Sequence, residues 1–172
     1  SVQRLPPEHF FSAVRSGIRY VHAAPVLRNV LVRTVAFFVF GSAGWALLPL
    51  VARRELGLGP AGYGVMLACI GLGAIAGAIL LPRLRQRLNA DRLMVAASLT
   101  FAITMLALAF VRHFWLLNLF EFFTGFAWIA VLSTLNLGAQ RSAARWVKAR
   151  ALAVYLTVFF GSMTAGSPVW GQ

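Results

Sequence analysis

Glu121 is the one carboxylate that falls inside a long apolar run of this chain. Asn118 and Gly125 lie three and four residues away from it, so all three share one face of a helix. Trp128 follows within a turn of Gly125. A charge in hydrocarbon is costly, so such a residue is expected to face a cavity or a partner. Two chemistries suit it there: carrying a proton, or meeting a polar group of a small molecule beside an aromatic ring. The plainer alternatives are a wetted carboxylate paired with Arg112 of the preceding loop, and helix-to-helix hydrogen bonds from the polar neighbours Thr124, Ser133, Thr134 and Asn136.

Other chemistry finds little support. His9, His22 and His113 are far apart and have no Cys or carboxylate at metal-ligand spacing. Cys69 is single and sits in an apolar run, which suits a small buried hydrophobe. Gly57-Leu58-Gly59-Pro60-Ala61-Gly62 matches a dinucleotide fingerprint in letters only. The residues about 20 positions on are Leu80, Leu81 and Pro82, not an acid, so a tight turn is the expected structure. No nucleophile elbow or paired carboxylates occur, so the chain reads as no enzyme, without metal or cofactor.

The elements that must hold Glu121 follow from composition. Of 172 residues, 60% are hydrophobic and 12% charged, whereas a soluble domain carries about 25% charged residues. Five apolar stretches are each long enough to cross a bilayer: about 30–51, 63–81, 93–111, 114–137 and 151–172. Lipid offers no hydrogen-bond partners to the backbone, so each is expected as a helix. The predicted fold is an all-α membrane protein: a bundle of five transmembrane helices over 30–172, preceded by a linker over 1–29. Within that linker Phe11, Val14, Ile18 and Val21 recur at steps of three and four, predicting an amphipathic helix at the membrane surface. Gly73 and Gly77 form a small-residue step suited to close helix packing. Pro49 and Pro168 each remove one helical hydrogen bond and are expected to kink their spans.

Charge fixes an orientation. The 16 Lys and Arg against 4 Asp and Glu fall in clusters between spans. Arg4, Arg15, Arg19, Arg28 and Arg33 precede or open the first span. Arg83, Arg85, Arg87 and Arg92 follow the second; Arg141, Arg145, Lys148 and Arg150 follow the fourth. These thirteen share one side by the alternation of spans, and only Arg53, Arg54 and Arg112 lie opposite. The positive-inside rule then puts the N-terminus in the cytoplasm. It also accounts for a net charge of +12 without nucleic acid, whose binding needs a continuous exposed basic surface. Trp45, Trp115 and Trp170 fall near the other ends, where an aromatic belt is expected.

Several stretches resemble the C-terminal half of a major facilitator superfamily transporter, in the enterobactin-exporter-like branch of transmembrane secretion effectors. They are residues 17–21, 45–53, 56–58 with 61–64, 127–136, 139–140 and 146–153. The resemblance implies that the five spans are helices seven to eleven of twelve, and that an N-terminal six-helix half is missing from this stretch of chain. It implies a bacterial inner-membrane secondary exporter of drugs, siderophores or other small molecules, working by alternating access in a lipid bilayer, with protons as the coupling ion. Gly77, Arg83, Arg85 and Arg87 fit the superfamily's cytoplasmic loop motif, but Leu81-Pro82 stand where its Asp belongs, and Asp91 is displaced. Arg83, Arg85 and Arg87 then serve as orientation charges. A different class of reading is a non-transporting membrane subunit or scaffold that pairs with another membrane chain.

Overall fold

A computed structural model describes residues 24–142 and 148–170, except for the side chains of Arg150, Ser167, Val169 and Trp170. Five α-helices make up nearly all of it: α1 Pro25–Leu50, α2 Pro60–Arg87, α3 Ala90–Phe110, α4 Phe114–Arg141 and α5 Lys148–Trp170. A π-helical turn, Val51–Glu55, extends α1. The chain is an all-α membrane protein. α1 with its π turn, α2, α3 and α4 are long and apolar enough to span a bilayer, and α5 carries a shorter apolar stretch, Ala151–Gly166. The expected amphipathic helix and most of the 1–29 linker lie outside the described residues.

The helices run past the apolar stretches that announce them. α1 begins at Pro25, inside the expected linker, because proline at the first helical position gives up an N–H that would have no partner anyway. α2 starts on Pro60 and continues through Pro82 to Arg87, beyond the expected end at residue 81. Pro82 removes only its own hydrogen bond, and the ladder resumes with Leu88 N donating to Leu84 O at 2.8 Å. Polar residues end the contact with hydrocarbon before they end the helix. At Pro49 the missing donor is followed directly by the π turn, closed by Leu56 N donating to Val51 O at 3.1 Å. Gly57 then turns the chain at φ 61, a left-handed conformation that glycine adopts without steric cost.

Lipid-facing and core faces separate by helical period. On α3, Val95, Leu99, Ile103, Leu106 and Phe110 recur at steps of three and four and are all exposed, as a surface meant for hydrocarbon should be. The opposite side of α3 packs on α4, which is the central helix. α2 also packs along α4, and α1 packs along α5; contacts between these two groups are sparser.

Two apolar clusters form the interior. One gathers Leu27, Leu31 and Phe38 of α1 with Val131, Leu135 and Tyr155 of α4 and α5. The other gathers Leu48, Val51 and Ala52 with Met66, Ile70, Leu108 and Leu117. Two ion pairs link separate elements: Arg33 Nη1 of α1 donates to Asp91 Oδ1 at the start of α3 at 2.5 Å, and Arg112 Nε, after α3, donates to Glu55 Oε2 of the π turn at 3.1 Å.

Candidate functional site

Glu121 is 1% exposed, in the part of α4 between the two apolar clusters. Asn118, one turn earlier, is 5% exposed. The periodicity that put them on one face also turns that face inward, because α1, α2 and α3 all pack around this stretch of α4. Glu121 lines a small cavity, about 10 Å³, with Thr124, Gly41, Gly44, Trp45 and Met105. That is roughly the room one water needs.

The hydrogen-bond inventory is incomplete at two atoms. Asn118 Nδ2 donates to Phe114 O at 2.9 Å, but Asn118 Oδ1 has no partner; neither does Glu121 Oε1. Buried polar atoms are nearly always satisfied, so two unpaired acceptors a turn apart call for an explanation. Arg112 does not supply it, since it binds Glu55 and carbonyls at the end of α3. Neighbouring hydroxyls are spent on their own helix: Thr124 on Phe120 O, Thr134 and Ser133 on Ala130 O.

Trp128 is the hub of an aromatic cluster. Its ring centroid lies 5.1 Å from Phe38, 5.7 Å from Trp45, and 6.0 Å from both Phe37 and Phe101. Phe38 and Trp45 meet it at 81° and 79°, the edge-to-face arrangement that aromatic quadrupoles favour, while Phe37 and Phe101 are tilted against it. Trp128 and Trp45 thus join α1 to α4 within one turn or two of Glu121. Trp45 stays partly exposed and Trp115 strongly so.

Gly125 sits elsewhere than beside an open path. A Cβ there would collide with the carbonyl oxygen of Ile70 and come within 3.0 Å of Ala74 N. Gly73 presses in the same way on the Phe122 carbonyl, and Gly77 on Ile129 and the backbone of Phe126. These three glycines form one seam in which α2 and α4 touch backbone to backbone. Of the loop arginines, Arg83 and Arg87 are exposed, whereas Arg85 folds back onto α4 and its Nη2 donates to Ser133 Oγ at 2.9 Å.

Gly41, Gly44 and Met105 join the site without any polar group of their own to announce them. The Gly41-x-x-Gly44 spacing on α1 was the available signal, because small residues one turn apart leave room beside a helix. Met105 comes from another helix and carries no such mark. Among the described residues, no group of His, Cys, Asp and Glu could hold a metal ion. His113 caps α4, its Nδ1 accepting from Leu116 N at 3.4 Å.

No curated protein and no solved structure matches the chain. The family model described as transmembrane secretion effector matches residues 1–172. A helical bundle with a lipid-facing exterior and a buried carboxylate with one unpaired oxygen at its centre is in keeping with that match, and the chain belongs to the transmembrane secretion effector family of major facilitator superfamily transporters.

Proposed function

We propose that this multi-pass protein takes part in proton-coupled export of small molecules by alternating access, with Glu121 as the proton carrier. The observation that carries the reading is the buried Glu121 carboxylate with one oxygen unpaired, lining a cavity where α1, α2, α3 and α4 meet. No cation among the described residues pairs with it. A proton is the counter-charge that fits a space of about one water. Asn118 and Trp128 flank the carboxylate, and the substrate path runs along their side of α4, between α1 and α4. Gly125 serves that path by holding α2 against α4. In this reading the helix ends that carry Arg33, Arg85 and Lys148 face the cytoplasm, following the basic bias of those connections. The membrane is a bacterial inner membrane, and a six-helix half supplies the opposing wall of the path.

The test is Glu121→Gln, an isosteric change that removes the exchangeable carboxyl proton. In the transporter reconstituted in vesicles, substrate-driven proton movement is expected to fall at least about tenfold, a loss of about 1.4 kcal/mol in coupling. Glu121→Asp should keep part of it. Equal proton movement in Glu121→Gln and in the unaltered protein refutes the assignment.

A further inference from the structure

Arg85 lies two residues before the end of α2, yet it is half-buried rather than extended into solvent like Arg83 and Arg87. It occupies a cleft of about 370 Å³ on α4, between apolar Ile129 and Leu132 and polar Ser133, Asn136 and Gln140. No carboxylate lines this cleft. The acids of the described residues are engaged elsewhere: Asp91 with Arg33, Glu55 with Arg112, and Glu121 in its own cavity.

The donors in the cleft outnumber its acceptors. A guanidinium has five N–H donors and no acceptor, and one contact to Ser133 leaves most of them to fill. Ser133 Oγ accepts from Arg85 and donates its own hydrogen bond to Ala130 O at 3.3 Å. Asn136 Oδ1 is taken by Gln140 Nε2 at 2.5 Å, so the Asn136 amide NH2 is a further donor without an acceptor. Ser133 lies eight residues before the end of α4, about 12 Å along its axis, so the cleft reaches from the helix ends into the apolar zone. A planar fork of donors with apolar walls beneath it matches a phosphate oxyanion attached to something greasy, or a free phosphate at the same spot.

We infer that Arg85, Ser133 and Asn136 form a binding cleft for a phosphate oxyanion, filled by the headgroup of an anionic phospholipid or by a soluble phosphate. This goes beyond the transport reading and does not use Glu121.

The experiment measures binding of the purified protein in detergent to phosphatidylglycerol, to phosphatidylcholine and to inorganic phosphate, by thermal shift and native mass spectrometry. Phosphatidylglycerol should raise the unfolding temperature and remain bound. Arg85→Ala should weaken that binding about tenfold, with Arg85→Lys and Asn136→Ala in between. Arg83→Ala and Arg87→Ala, which remove equal charge from exposed positions, should change it less than twofold. A shift with inorganic phosphate alone assigns the site to a soluble phosphate; a shift with phosphatidylglycerol only assigns it to lipid. Equal losses for Arg83→Ala and Arg85→Ala would mean diffuse surface attraction and overturn the proposal. So would no preference for phosphatidylglycerol over phosphatidylcholine together with no effect of phosphate. Arg85→Lys and Asn136→Ala keep the test decisive if Arg85→Ala fails to fold.

Discussion

The two sides of α4 are built differently. Toward α2 it meets another backbone directly, with Gly73, Gly77 and Gly125 leaving no room for even a methyl group. Toward α1 it meets side chains: Trp128 against Phe37, Phe38 and Trp45, with the Glu121 cavity beside them. The α1–α5 contact resembles the first kind, since a Cβ on Gly166 would strike Ser42 Oγ and come within 2.7 Å of Val39 O. Close backbone contact therefore lies within the pairs α2–α4 and α1–α5, and adaptable side-chain contact lies between them. Interlocked backbones resist sliding, whereas rings and a methionine can repack. Glu121, the one buried carboxylate among the described residues, sits on the adaptable boundary.

Substitutions at glycine break this comparison most directly. Gly125→Ala should destabilise the protein by about 3 kcal/mol or more, because its new methyl meets a carbonyl that cannot move without shifting α2. Gly73→Ala should behave alike. Gly44→Ala, whose nearest neighbour is the Met105 tip at 2.9 Å, should stay within about 1 kcal/mol of the starting stability, helped by alanine's better helix propensity. Thermal unfolding in detergent compares them; equal losses at Gly44 and Gly125 would erase the distinction. Tyr155 Oη reaches Leu132 O at 3.5 Å across α5 and α4, so Tyr155→Phe should cost about 0.6 kcal/mol or less. The smallest effect belongs to Asp91→Asn. Its pair with Arg33 is exposed, so the loss should be no more than about 0.5 kcal/mol and should shrink further in added salt.

Much of this was legible in the residues. Runs of some twenty apolar side chains announce membrane helices, and a single acid within them announces Glu121. Helix ends were less legible, because Pro25–Asn29 and Pro82–Arg87 continue their helices after the apolar signal stops. Gly125 shows a limit of another kind. Its spacing from Glu121 is compatible with a lining position and with a packing position, and only the approach of Ile70 separates the two. Partner choice was hidden as well. Arg33 meets Asp91, 58 residues away, and Arg112 prefers Glu55 to Glu121. Which ends of which helices meet is a property of the bundle, not of local pattern.

The link Leu56–Gly59 joins α1 and its π turn to α2, and so joins the two helix pairs. Four residues drawn out straight reach about 14 Å at most. Leu58 N, held by Ala52 O at 2.8 Å, takes up part of that length. At this end of the bundle the two pairs stay on a short leash, which makes the Gly57 corner the natural fulcrum of any rocking between them.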